Sequence, residues 1–161
     1  MFYTLFGARL TLEEAVVESP FEIASMGGIT SFPNEDAVLV RGKNNNWKQW
    51  YKVDLVSNDT SLFIDSSAFN LNGDDLYVSD ITFSNRGDIL LVKTKTEKIY
   101  RHSHISTYYI YDLSKKKLSK LTSFNKNLRN VKFSPTDKHI GYIREDNNLY
   151  VYDIKRKRQR Q

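Results

Sequence analysis

The side chains best suited to chemistry stand in one run, Tyr100-Arg-His-Ser-His104. A guanidinium offers several N–H donors in fixed geometry and stays charged at any ordinary pH, so Arg101 is suited to holding a carbonyl or carboxylate oxygen without titrating. Its bland alternative is a surface arginine pairing with an acidic neighbour such as Glu97 for little gain in stability. His102 and His104 would share one side of a strand by alternation, which raises a metal pair, but no third ligand stands near them. No metal is assigned, and His102 is expected to be a hydrogen-bonded structural group.

Other candidates have simpler explanations. Thr11-Leu-Glu-Glu14 has the form of a capping box, which predicts a short helix over Leu12 to Val17 ending at Ser19-Pro20 and explains Glu13-Glu14 without catalysis. Asn72-Gly-Asp-Asp75 lacks the spaced oxygen ligands and closing Glu of a calcium loop and reads as a turn. Trp47, Trp50 and Tyr51 offer stacking surfaces for bases or sugars, yet aromatics at that point of a strand are expected to fill packing between sheets. There is no cysteine, which excludes disulfides, thiolate metal sites and cysteine nucleophiles, and no cofactor is implied.

The net charge of +5 is confined to the final residues, because five of the last seven are basic and the remaining chain is neutral. That distribution argues against a nucleic-acid groove and predicts a solvated turn instead. No apolar run reaches the roughly 20 residues of a membrane helix. The opening Met1 to Phe6 is apolar but lacks the basic region and the longer apolar run of a secretory signal, and the compartment stays undecided.

The elements that must position Arg101 are short strands in a repeat. Ser31 to Val40, Thr82 to Val92 and Lys132 to Ile143 each run Phe, polar turn, apolar strand, with Phe32, Phe83 and Phe133 at intervals of 51 and 50 residues. Each is followed by a second strand ending in Asp-Leu or Asp-Ile, at Asp54, Asp112 and Asp153. Asn, Asp and Gly between the runs supply the positive φ of tight hairpins. Periods near 50 residues with several strands each predict propeller blades. The predicted fold is all-β: a segment with a short helix over 1–27, then an incomplete β-propeller over 28–161 of about two and a half blades, with units near 31–58, 82–122 and 131–161. The middle unit is longest, with 29 residues from Phe83 to Asp112 against 22 and 20 in the others. Its extra length holds Glu97 to His104 in a long hairpin, where binding groups tend to sit on a rigid scaffold.

Leu10-Thr-Leu-Glu-Glu14, the segment Tyr100 to Leu113, Val131-Lys-Phe-Ser-Pro135 and Asn147 to Asp153 resemble, in this order, the N-terminal propeller region of dipeptidyl peptidase IV-like serine peptidases. The similarity spans about residues 10 to 161, and the Arg-His-Ser segment leading into the Tyr-rich strand is its most specific part. The resemblance implies a propeller followed by an α/β-hydrolase domain, with substrate between them and removal of N-terminal dipeptides whose second residue is proline or alanine. It implies that Arg101, supported by His102 and Ser103, hydrogen-bonds a substrate carbonyl. The family's paired glutamates for the substrate amine have no counterpart here, and no G-x-S-x-G elbow occurs. His102, His104 and His139 all lie in the propeller region. The expectation is an N-terminal fragment, inactive alone, that gates and positions peptide N-termini in a parent enzyme. Its partners would be a peptide substrate in the complete enzyme, a hydrolase domain, and other copies through open blade edges. Without the resemblance, a stand-alone β-rich module that binds proteins through those edges stays open, with a basic-tailed nucleic-acid binder as a third reading.

Overall fold

The computed structural model describes residues 28–42, 49–100, 103–124 and 126–161. They form three successive four-stranded antiparallel sheets, each a meander in which consecutive strands pair. The first contains β1 (Thr30–Ser31), β2 (Ala37–Arg41), β3 (Trp50–Asp54) and β4 (Thr60–Ile64). A 3-10 turn at Ser66–Phe69 and a small hairpin of β5 (Asn70–Leu71) and β6 (Asp74–Asp75) lead onward. The second sheet contains β7 (Val78–Phe83), β8 (Ile89–Tyr100), β9 (Ser103–Asp112) and β10 (Lys117–Lys120). The third contains β11 (Arg129–Phe133), β12 (His139–Ile143), β13 (Leu149–Asp153) and β14 (Arg158–Arg160). This is the all-β, open propeller arrangement that the repeats predict. The expected helix at Leu12 to Val17, with Glu13-Glu14, lies outside the described residues, as do Trp47 and the 44–46 turn.

The second sheet is buried on both faces, and its sequence records this. Side chains alternate across a strand, so neighbours enter different cores. Leu90, Val92, Tyr109, Tyr111 and Leu118 face the first sheet, where they meet Phe32, Leu39, Trp50, Ile64 and Phe69. Leu91, Tyr108, Ile110 and Leu121 face the third sheet, where they meet Leu128, Ile140, Tyr142, Tyr150 and Tyr152. That is why Ile89 to Val92 and Tyr108 to Tyr111 are continuous apolar runs, while β13 alternates from exposed Leu149 to buried Tyr150. Trp50 is 2% exposed and belongs to the first core, so it packs and offers no stacking surface.

The turns explain the repeated residues. Asp54 accepts from the amides of Val56 and Ser57, Asp112 from the amide of Lys115 and the hydroxyl of Ser114, and Asp153 from the amide of Arg156. The shared Asp therefore closes the same turn three times, with Asn58, Lys116 and Lys157 at positive φ four residues on. Between β5 and β6, Asn72 and Gly73 both take positive φ, a hairpin turn in which Asn70 accepts from the Gly73 amide. In the basic tail, Gln159 of β14 turns inward and accepts from Thr122 and Tyr142 at 2.7 Å each, while Arg158 and Arg160 face out.

One register in the repeat shifts. The turns close by Phe32 N–H to Ala37, Ser84 N–H to Ile89 and Ser134 N–H to His139. Phe32 thus aligns with Ser84 and Ser134, one residue after the position of Phe83 and Phe133. Phe32 still reaches the same core, 4.6 Å ring to ring from Phe83 and 4.9 Å from Phe63.

Adjacent sheets are joined turn to turn. Gly87, at φ +78°, lies so close to Pro33 that a Cβ there would come within 3.1 Å of the proline ring. At the next seam Asp137, only 3% exposed, accepts from the Asn85 amide at 3.0 Å, the Arg86 amide at 2.8 Å and the Asn85 side chain at 2.6 Å. Burial pushes its carboxyl up, but the Asn85 and Arg86 amides outweigh this and hold it below the ordinary value. The resulting stability is fully present above the unfolded value of about 4 and is lost as pH falls through the lower folded value. Asp137→Ala strands two amides and is expected to cost about 1–3 kcal/mol in urea unfolding at pH 7. Asp137→Asn should cost less and flatten the acid limb of stability against pH; an unchanged acid limb would count against this seam.

Candidate functional site: the β8–β9 arm and its cleft

The middle sheet departs from its neighbours at one place. In the first and third sheets the paired central strands have five residues each, whereas β8 has 12 and β9 has 10. The excess projects as an arm. Burial stops after Thr94, and every residue from Lys95 to Tyr100 is exposed. An arm without a core must be held by its backbone ladder and its base.

The base is built from hydroxyls. Lys95 and Thr96 together oppose Ser106, a bulge in which Lys95 takes φ +47°. The Ser106 hydroxyl donates to Thr96 at 3.1 Å, Thr96 lies 2.9 Å from Ser79, and Ser79 donates to the Lys93 carbonyl at 3.0 Å. With Ser79 donating to the carbonyl, the proton between Thr96 and Ser79 belongs to Thr96, so each hydroxyl donates once along a continuous relay. Ser106 also exchanges both backbone hydrogen bonds with Leu128, at 3.1 and 2.9 Å, which ties the arm to the third sheet. A second irregularity lies between Lys98 and Tyr100.

Ser103 opens β9 opposite Tyr100 and is exposed. Arg101 and His102 lie outside the described residues; the Tyr100–Ser103 pair flanks them on both sides. Tyr100 and Ile99 are 77% and 53% exposed, so the end of the arm presents apolar as well as polar surface. His104 accepts from the Lys93 ammonium at 2.7 Å through Nε2, which requires a neutral ring with its proton on Nδ1. Among the described residues, no three His, Asp or Glu side chains are grouped to hold a metal ion.

Beside the arm, between the second sheet and β11, is a cleft of about 380 Å³ whose polar wall includes Asp80, Lys93, His104, Tyr108, Arg129 and Lys132. Asp80, Lys93 and Tyr108 form one cross-strand row. Burial, aided by the Asp80 charge, pushes the Tyr108 phenol up to about 12, so it keeps its proton and can donate. The arm is legible in the spacing of the sequence and this cleft is not, because its walls come from segments brought together only by sheet packing. The positive φ of Asn130 and the bulge beside it, which turn Arg129 and Lys132 along β11, leave no mark beyond a lone Asn.

Three consecutive antiparallel blades, the central one carrying an extended arm, define this chain as a β-propeller segment. Residues 84–161 match the family described as dipeptidyl peptidase IV N-terminal region. Dipeptidyl aminopeptidase B of Saccharomyces cerevisiae is 32% identical over 63% of this chain and 12% of its own length. Dipeptidyl peptidase 4 of Felis catus is 28% identical over 58% of this chain and 12% of its own length. In fold, the crystal structure of Porphyromonas gingivalis dipeptidyl peptidase 4 superposes with a TM-score of 0.76 over 96% of this chain and 22% of that one, at 20% identity. The chain carries a propeller fold and, over residues 84–161, just under half of its length, is similar to the N-terminal region of the dipeptidyl peptidase IV family. It spans about an eighth of the length of the yeast and cat relatives.

Thr96→Val keeps the side-chain shape and removes the middle hydroxyl of the relay. The expected result is a loss of about 1 kcal/mol and faster amide exchange at Glu97 to Tyr100, with β12 and β13 unchanged. Equal exchange in the arm of both proteins would remove the relay from the account of how it is held.

Proposed function

We propose that this chain is the part of a dipeptidyl peptidase IV-like serine peptidase that gates and positions peptide N-termini, with the hydrolytic residues supplied by an α/β-hydrolase domain of the parent enzyme. The observation that supports it is the arm itself: added length in the unit where the family match lies, pinned at its base, with Tyr100 and Ser103 paired at the end of its ladder. In this reading the Arg101 guanidinium donates hydrogen bonds to a backbone carbonyl of the bound peptide, with His102 and Ser103 beside it. A permanently charged planar donor holds a carbonyl at fixed orientation over the whole working pH range. The carbonyl is neutral and the donor cationic, so the contact is charge-assisted without demanding an acidic substrate. Orientation of this kind contributes to catalysis by placing the scissile bond where the hydrolase groups can reach it.

The reading makes two expectations. In the complete parent enzyme, Arg101→Ala should lower kcat/KM for Gly-Pro-p-nitroanilide by about 10- to 100-fold, the worth of one charge-assisted hydrogen bond, with Arg101→Lys recovering only part. Unaltered kcat/KM in the alanine variant would refute the role of Arg101. The 161-residue chain alone should release no p-nitroaniline from the same substrate, since no G-x-S-x-G nucleophile elbow occurs in it. Inhibitor-sensitive turnover by the chain would place the catalytic residues within it and overturn the division of labour.

A further inference from the structure

The cleft beside the arm is not used by the carbonyl contact just described, and its charge is unbalanced. Lys93, Arg129 and Lys132 line its wall, and Asp80 is the one carboxylate among the described residues that line it. Elsewhere in the fold Lys52 meets Glu35, Arg86 meets Asp88, Lys115 meets Asp112 and Arg156 meets Asp153. Neither Lys93, Arg129 nor Lys132 takes part in any ion pair of the described residues. Asp80, although the cross-strand partner of Lys93, accepts instead from the adjacent Ile81 amide at 2.9 Å. The Lys93 ammonium turns to the neutral His104 ring, and Arg129 donates to the Arg144 carbonyl and the Asn147 side chain. Lys93 and Lys132 face one concavity with a single carboxylate between them, a charge balance that an anion would complete. The Tyr108 phenol, which stays protonated, lies on the same wall as a further donor.

Position decides what kind of anion. The cleft begins at Ser103 and His104, the first residues of β9 and two to three positions beyond Arg101 in the sequence, and runs along the seam toward β11. On the peptide-positioning reading, a peptide engaged by Arg101, whose near neighbour in sequence Ser103 lines the cleft, would carry its following side chains past this wall. We infer that the cleft between β7–β9 and β11 is a specificity subsite for a carboxylate side chain on the bound peptide, with Lys93 and Lys132 as its recognition residues. The inference rests on the peptide-positioning reading above. It adds a preference for peptides with Asp or Glu beyond the N-terminal dipeptide. The interaction is between partly exposed charges, so it is modest and weakens with salt.

The test uses the 161-residue chain, isotope-labelled and titrated by NMR with Gly-Pro-Glu-Glu-Gly and Gly-Pro-Gln-Gln-Gly at low ionic strength. The acidic peptide should bind about tenfold more tightly, as expected for charge recognition at a partly solvated site, and should shift the resonances of Lys93, His104 and Lys132. Lys93→Gln combined with Lys132→Gln should bring the two peptides to equal affinity. Arg101→Ala should weaken both peptides by the same factor and leave their ratio intact. Equal affinities in the unaltered chain, or a ratio that survives the double substitution, would overturn the subsite. Inorganic phosphate should displace the acidic peptide from these resonances; phosphate binding there with no preference between peptides would assign the cleft to a free anion and overturn the peptide source. If Arg101→Ala affects neither peptide while the acidic preference persists, the carbonyl role of Arg101 falls and the subsite stands.

Discussion

The structure depends on the burial of one sheet from both sides. Leu90, Val92, Tyr109 and Tyr111 enter one core and Leu91, Tyr108 and Ile110 enter the other, from alternate positions of the same two strands. Each core is completed by a neighbouring sheet, so removing either flank would expose one face of the central strands. Because the two faces are filled by adjacent residues, a slip of one register in β8 or β9 would exchange every side chain between cores of different shape. The β8–β9 ladder is therefore fixed where it is buried, and that certainty is what the arm inherits.

Beyond Thr94 the ladder leaves the core, and different forces take over. Apolar burial no longer contributes, so the arm relies on cross-strand hydrogen bonds, a hydroxyl relay through Ser79, Thr96 and Ser106, and the reciprocal Ser106–Leu128 pair. Bulges interrupt the ladder at Lys95 and near Ile99. A scaffold of this kind suits a site that must be placed accurately yet remain open to a peptide: the base is fixed by hydroxyls anchored on buried Ser106, and Ile99, Tyr100 and Ser103 beyond it are exposed. The cationic cleft lies at the foot of the same arm, so carbonyl recognition and carboxylate recognition would be set by one structural unit.

Aspartate serves two purposes in the repeat, and the distinction is physical. Asp54, Asp112 and Asp153 close turns within their own sheets by accepting from amides two or three residues on. Asp112, drawn down to about 2 chiefly by its contacts with Lys115 and Ser114, is the most strongly stabilised anion of these. Asp137 makes no such local turn with its carboxylate; it reaches across the seam to Asn85 and Arg86. Local aspartates make each sheet, and the buried one joins two sheets.

What could be read from the residues alone was whatever depends on local periodicity and turn chemistry. Alternating apolar runs, the recurring Asp before Leu or Ile, and Asn-Gly turns predicted short antiparallel strands in a repeat, because strand alternation and positive φ are properties of a few consecutive residues. The extra length between Phe83 and Asp112 likewise announced the arm, since insertions appear in the spacing. The register at Phe32, the inward turn of Gln159 between two arginines, the clasp from Asp137 to Asn85 and the cleft walled by Lys93 and Lys132 were decided only in three dimensions. Each joins residues dozens of positions apart, or depends on a bulge that a linear pattern does not display. Charge shows the same division: along the chain the basic excess is confined to the tail, whereas sheet packing brings Lys93 and Lys132 to one concavity.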